Sequence, residues 1–110
     1  MIQTDNKQTL DAELGKNKRA IVLFYASWCP YCIRFVPIFD KNVINLGKGN
    51  VIHVLLDDYD NPLWDDYSIR AVPTIILFED GKVQSRLDAN LGLGLSERKF
   101  YAWLEGLNNL

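Results

Sequence analysis

Ala20-Ile21-Val22-Leu23-Phe24-Tyr25-Ala26 is an unbroken apolar run, followed at once by Ser27-Trp28-Cys29-Pro30-Tyr31-Cys32. A run this short, rich in Ile, Val, Phe and Tyr, has the pattern of a central strand covered on both faces. A strand is therefore predicted over Ala20 to Ala26. Two cysteines spaced three apart at the start of a helix lie one turn from each other on the same face, close enough for a disulfide. Such a pair opens and closes a bond reversibly. Unpaired backbone N–H groups and the positive end of the helix dipole favour a thiolate at the helix N-terminus. Cys29 is expected at the cap as the exposed, attacking thiol, and Cys32, one turn inside, as the more buried thiol that resolves the mixed disulfide. Pro30 suits the first helical position, where its missing N–H has no intrahelical partner to lose.

Working outward, the residues from Pro30 to about Leu46 place Phe35, Ile38, Phe39, Val43 and Leu46 along one helical stripe, with Gly47 at its end and Pro37 as a kink. Val51 to Leu56 reads as a second strand, interrupted only by His53. Strand, helix, strand over this length implies a parallel crossover. Upstream, Thr9 to Leu14 is a short helix with Thr9 as N-cap and Gly15 as its stop. Downstream, Asn61 to Tyr67 is a short helix entered through Pro62. Thr74 to Glu79 and Lys82 to Leu87 flank Asp80-Gly81, a two-residue hairpin signal. Ser96 caps a last helix whose Phe100, Trp103, Leu104 and Leu107 form one apolar face. The whole is an α/β pattern.

At 110 residues, with 48% hydrophobic and 24% charged residues, the chain reads as a single globular domain over 1–110. A net charge of −2 offers no general attraction to nucleic acid or anionic lipid. The apolar run is far too short for a membrane-crossing helix. Lys18 and Arg19 before it do not make a signal peptide, since Asp11 and Glu13 precede them and no A-x-A site follows. A cytoplasmic location is expected. No metal site is expected either. Zinc normally takes four ligands, and there is no second C-x-x-C and only one histidine, His53. Asp57, Asp58, Asp60, Asp65 and Asp66 read as a solvated acidic loop, because Pro62, Leu63 and Ile69 occupy places where a calcium loop needs a ligand or glycine. Leu91-Gly92-Leu93-Gly94-Leu95 lacks the third glycine of a nucleotide-binding loop. Its leucines are expected either to border a substrate groove or to pack under the last helix.

A C-x-x-C beside a βαβ pattern is a thioredoxin-like signal. Phe24 to Cys32, then Pro37, then Ile69-Arg70-Ala71-Val72-Pro73-Thr74 and Asp80-Gly81-Lys82 follow in an order that resembles the thioredoxin family over nearly the whole chain. The resemblance implies a thioredoxin fold, a central mixed β-sheet flanked by helices on both faces, with the redox pair at the carboxyl end of the strand Ala20 to Ala26. It implies that Pro73 is a cis-proline facing the cysteines, that the backbone of Val72 pairs with an extended substrate, and that Trp28 shapes the substrate groove. It implies a dithiol–disulfide oxidoreductase that needs no cofactor beyond its own Cys29–Cys32 disulfide. The partners implied are protein disulfides and an electron donor such as thioredoxin reductase or glutathione.

Three positions depart from that family. Pro30-Tyr31 stands where thioredoxins carry Gly-Pro and resembles glutaredoxin instead, which bears on the redox potential. Leu23 stands six residues before Cys29, where the family commonly has a buried acid. His53 stands where a lysine is common, and reads either as a proton acceptor for Cys32 or as a hydrogen-bonded strand histidine without a role. Three functions follow: a reductase of protein disulfides, an oxidase or isomerase or a glutaredoxin-like activity, or a non-catalytic interaction module whose cysteines only lock the fold.

Overall fold

The computed structural model describes residues 2–43 and 51–107. The chain order is β1 (Ile2–Thr4), α1 (Lys7–Lys16), β2 (Arg19–Tyr25), α2 (Pro30–Val43), β3 (Val51–Leu55), α3 (Leu63–Asp66), β4 (Thr74–Glu79), β5 (Lys82–Leu87) and α4 (Glu97–Leu107). The strands form one five-stranded sheet in the order β1-β3-β2-β4-β5. β3 runs parallel to both β1 and β2, while β4 is antiparallel to β2 and β5. The sheet is mixed, with the apolar run at its centre.

Alternation along β2 sends Val22 and Phe24 to one core with Leu10 and Leu14 of α1 and Leu63 of α3. Ile21 and Leu23 face the other, with Phe35 and Phe39 of α2 and Phe100 of α4. Helices therefore cover both faces, and the uninterrupted run of apolar residues is explained by burial on each side. Each fully buried side chain of this kind stabilises the fold by about 1.5–3 kcal/mol.

Several predicted boundaries move: β2 spans Arg19–Tyr25 and β3 ends at Leu55, each a shift of one residue. Helix α1 begins earlier than Thr9, because Asn6, in extended backbone, accepts the Thr9 amide (2.8 Å) and takes the N-cap role itself. It also runs through Gly15 to Lys16, with the Asn17 side chain donating to the Glu13 carbonyl at 2.9 Å. Helix α3 has only four residues, with Pro62 before its first turn and the Leu63 amide held by Asn61 Oδ1 at 3.0 Å. Strand β1 was not predicted at all. The predicted Leu46 and Gly47 end of α2 lies outside the described residues. The β4–β5 hairpin is as expected, with positive φ at both Asp80 (52°) and Gly81 (78°).

Candidate active site

β2 ends at Tyr25 and α2 begins at Pro30, so Ser27, Trp28 and Cys29 form a tight corner over the end of the sheet. The Cys29 amide donates to the Ala26 carbonyl (3.3 Å) and its own carbonyl accepts from the Ile33 amide (3.1 Å). That places Cys29 at the N-cap of α2. Its sulfur accepts the Cys32 amide at 3.3 Å, one of the helix's unpaired donors. The Cys29 thiol also points at the Val72 carbonyl, 3.6 Å away. Both cysteines are free thiols.

Cys29 is not the exposed thiol that its cap position suggested. It is 4% accessible and Cys32 is 0%. The cis Val72–Pro73 segment closes over Cys29 from the side, leaving it on the floor of a groove of about 330 Å³ lined by Trp28, Pro30, Tyr31, Arg70 and Val72 among others. Cys32 lies deeper still. Its burial, and then its hydrogen bond with Cys29, push its pKa from 9.0 up to about 12. The two sulfurs are chemically unlike.

The residues around the pair are held by the loop after β3. Asp57 accepts the Ser27 amide on one carboxylate oxygen and the Ser27 hydroxyl on the other, both at 2.6 Å, and its carbonyl accepts Trp28 Nε1 at 3.1 Å. The expected solvated acidic loop is thus, at Asp57, the anchor of the corner that carries Cys29. Tyr31 donates its hydroxyl to the Gly92 carbonyl (2.6 Å), fastening the middle of the cysteine motif to the Leu91–Leu95 loop. Both readings of that loop hold in part. Leu91 lines the groove and is 83% exposed, whereas Leu95 packs into the α2–α4 core.

His53 and Leu23 are register partners on β3 and β2. His53 alternates with Ile52 and Val54, so it faces the α2–α4 side, where its Nε2 lies 2.8 Å from Asp40 Oδ1 and its ring meets Tyr25 and Phe39. Cys32 packs into the opposite core. Asp40 is eight residues along α2 from Cys32, about 12 Å of helical rise. The structure brings Trp28, Cys29, Pro30, Tyr31, Cys32, Val72 and Pro73 together and leaves His53 apart from them. Two aromatic residues that sequence reasoning missed, Tyr59 and Trp64, join Trp28 in the groove wall. Among the described residues no cluster of three or more His, Cys, Asp or Glu side chains is placed to hold a metal ion.

The family model for Thioredoxin matches residues 1–97. The chain belongs to the thioredoxin family. A thioredoxin of Mycoplasmoides gallisepticum is 39% identical over 82 residues, covering 74% of this chain and 80% of that protein. Protein disulfide-isomerase A5 of Bos taurus is 29% identical over 109 residues, but the matched part is only 20% of its length. In three dimensions the Fasciola hepatica thioredoxin superposes with a TM-score of 0.77 at 22% identity, covering 96% of this chain and 97% of that one. With two adjacent thiols in that fold, the thioredoxin-family chain is a thiol–disulfide oxidoreductase, and protein disulfides are the family's substrates.

Proposed function

We propose that the chain, working as one unit, reduces disulfides in client proteins, with Cys29 attacking and Cys32 resolving. The observation that carries this is the asymmetry of the pair: one sulfur on the floor of an open groove, the other sealed and holding its proton to about pH 12. Cys29, as thiolate, bonds to one client sulfur while the client S–S bond breaks and the other sulfur leaves as thiolate. Cys32 then loses its proton and attacks Cys29, forming the Cys29–Cys32 bond and releasing the second client thiolate. Two electrons pass from the dithiol to the client. A cytoplasmic location and renewal of the dithiol by thioredoxin reductase or glutathione complete the reading, with Trp28, Val72 and Pro73 as the client-facing residues and Pro30 and Tyr31 tuning the potential.

A second reading, as oxidase or isomerase, is favoured by Pro30-Tyr31 between the cysteines and by the likeness to a protein disulfide-isomerase. Reduction of insulin disulfides with dithiothreitol as electron source tests catalysis itself. Cys32→Ser is expected to accumulate mixed disulfides detectable by mass spectrometry, and Cys29→Ser to trap none. Equal trapping by both variants refutes the division of roles.

A further inference from the structure

One wall of the groove beside Cys29 is a shelf of three aromatic rings. The Trp28 and Tyr59 centroids are 5.2 Å apart, and Tyr59 stacks on Trp64 at 5.6 Å with 22° between the planes. Both indole N–H groups are already used, Trp28 Nε1 on the Asp57 carbonyl (3.1 Å) and Trp64 Nε1 on the Asp58 carbonyl (3.0 Å). Neither indole N–H is therefore left for a partner, and what the two tryptophans offer is carbon ring surface. Trp28 is 46% exposed and Tyr59 73%. An exposed aromatic patch beside a reactive group has the character of a contact surface.

The backbone beneath the shelf is fixed before anything binds. The Asp60 amide donates to Asp58 Oδ1 (2.9 Å), the Leu63 amide to Asn61 Oδ1 (3.0 Å), and Asn61 Nδ2 to the Asp5 carbonyl (2.7 Å). A surface ordered in advance loses little entropy when a partner settles on it.

We propose that Tyr59 and Trp64 set substrate preference, the shelf receiving an aromatic or large aliphatic side chain that lies one or two residues from the client's reacting cysteine. The proposal rests on the reading of Cys29 as the attacking thiol. Because that thiol lies on the groove floor, the client chain has to enter the groove to reach it. An extended chain advances about 3.3 Å per residue, so backbone positions within two residues of its cysteine lie within about 7 Å of it along the groove. That reach is comparable with the ring spacings of the shelf. Among the described residues Arg70 is the one charged residue lining the groove, while Asp58 and Asp60 line a different cavity. Apolar contact therefore governs what the shelf accepts. The redox step is unchanged, and only the affinity of the encounter is altered.

The test uses the full chain, reduced in advance, in single-turnover reactions with two disulfide peptides that differ only in Phe or Ser beside the cysteine. The Phe peptide is expected to react about tenfold more efficiently, through a lower half-saturation concentration at similar limiting rate. In Tyr59→Ala and in Trp64→Ala that ratio is expected to fall towards unity, and in Tyr59→Phe to persist. Tyr59 is exposed enough that Tyr59→Ala decides the matter alone should Trp64→Ala fail to fold. Equal efficiency for the two peptides in the natural chain, or an unchanged ratio in Tyr59→Ala, overturns the proposal. Failure of the natural chain on both peptides and on 2-hydroxyethyl disulfide overturns instead the reductase reading beneath it.

Discussion

Gly92 and Gly94 share one loop and nearly one backbone conformation, yet substitution by alanine should separate them. Gly92 has φ +78° and nothing within 4 Å of where a Cβ would sit. Gly94 has φ +75°, but there a Cβ would lie 2.7 Å from Tyr31 Cγ and Cδ1 and 2.8 Å from Tyr31 Cβ. The left-handed backbone costs an alanine about 1–2 kcal/mol at either position. At Gly94 the overlap adds the cost of overpacking, about 1–3 kcal/mol. Tyr31 cannot simply turn aside, since its hydroxyl is bonded to the Gly92 carbonyl at 2.6 Å and Arg34 lies over its ring at 5.8 Å. Losing the hydrogen bond alone costs about 0.5–1.5 kcal/mol. Gly92→Ala should therefore destabilise by about 1–2 kcal/mol and Gly94→Ala by about 2–5 kcal/mol, read from urea unfolding with unchanged slopes. In a Tyr31→Ala background the gap should close, because the two sites no longer touch. A gap below about 0.5 kcal/mol in the natural background, or one that survives Tyr31→Ala, refutes the idea that glycine is required here by the approach of Tyr31.

Three further outcomes are expected. Because folding raises the Cys32 pKa from 9.0 to about 12, the folded chain keeps a proton that the unfolded chain releases. The stabilisation is fully present below about pH 9 and is lost as pH rises from there towards 12, a decline that Cys32→Ser should lack when both proteins are unfolded in urea at successive pH values. Half-buried tyrosines with raised pKa values contribute to both proteins: Tyr67 cancels in the comparison, and Tyr25 cancels except for the smallest of its causes, the charge of Cys32, which the variant lacks. His53→Ala should lower stability by about 1–3 kcal/mol through loss of a packed, hydrogen-bonded ring, with the resolving rate and its pH profile unchanged in single-turnover kinetics. A slowed resolving step would return His53 to the proton path. Finally, Pro30-Tyr31 should set the reduction potential nearer the glutaredoxin range of about −200 to −230 mV than the thioredoxin value of about −270 mV. A redox titration at −270 mV or below for the natural chain contradicts that, as does a Gly-Pro replacement that fails to make it more reducing.

Most of the architecture was legible because local patterns encode which faces are buried. The run Ala20 to Ala26, rich in β-branched and aromatic residues, has the pattern of a strand covered twice, Asp80-Gly81 that of a hairpin turn, and Phe100 to Leu107 mark one helical face. Less legible were features with too little local pattern. β1 has three residues, too few to show alternation. The cap of α1 was misplaced because Lys7 and Gln8 add a polar first turn before any apolar periodicity begins. In the site, the cysteines and the residues next to them were readable, whereas their surroundings come from afar. Asp57 is 30 positions from Ser27, and nothing in an aspartate-rich stretch singles out the one that closes a corner. Tyr59 and Trp64 read as loop and helix residues, and only the fold brings Tyr59 against Trp28 and stacks Trp64 on Tyr59. Cap geometry also spoke for an exposed Cys29, but exposure depends on Val72, which reaches it from 43 positions away.

The absence of an acid at position 23 leaves the question of what takes the Cys32 proton, and the geometry narrows the answer. Leu23 is fully buried and carries no titratable group, and His53 is engaged with Asp40 on the opposite face of the sheet from the core that Cys32 joins. Part of what holds the Cys32 proton is Cys29 itself, through their hydrogen bond and through its charge when ionised. Burial, the largest cause, persists, but once Cys29 is bonded to a client sulfur its charge is gone and its hydrogen bond to Cys32 is weakened. The same step releases a client thiolate into the groove, a base close to the active site and matched in pKa to an ordinary thiol. The proton can then pass from Cys32 to that thiolate, directly or through water, so that the first bond exchange supplies both the weakened hold on the proton and its acceptor. On this account burial of Cys32 does not stall the reaction; it defers the second thiol until the first has a client attached.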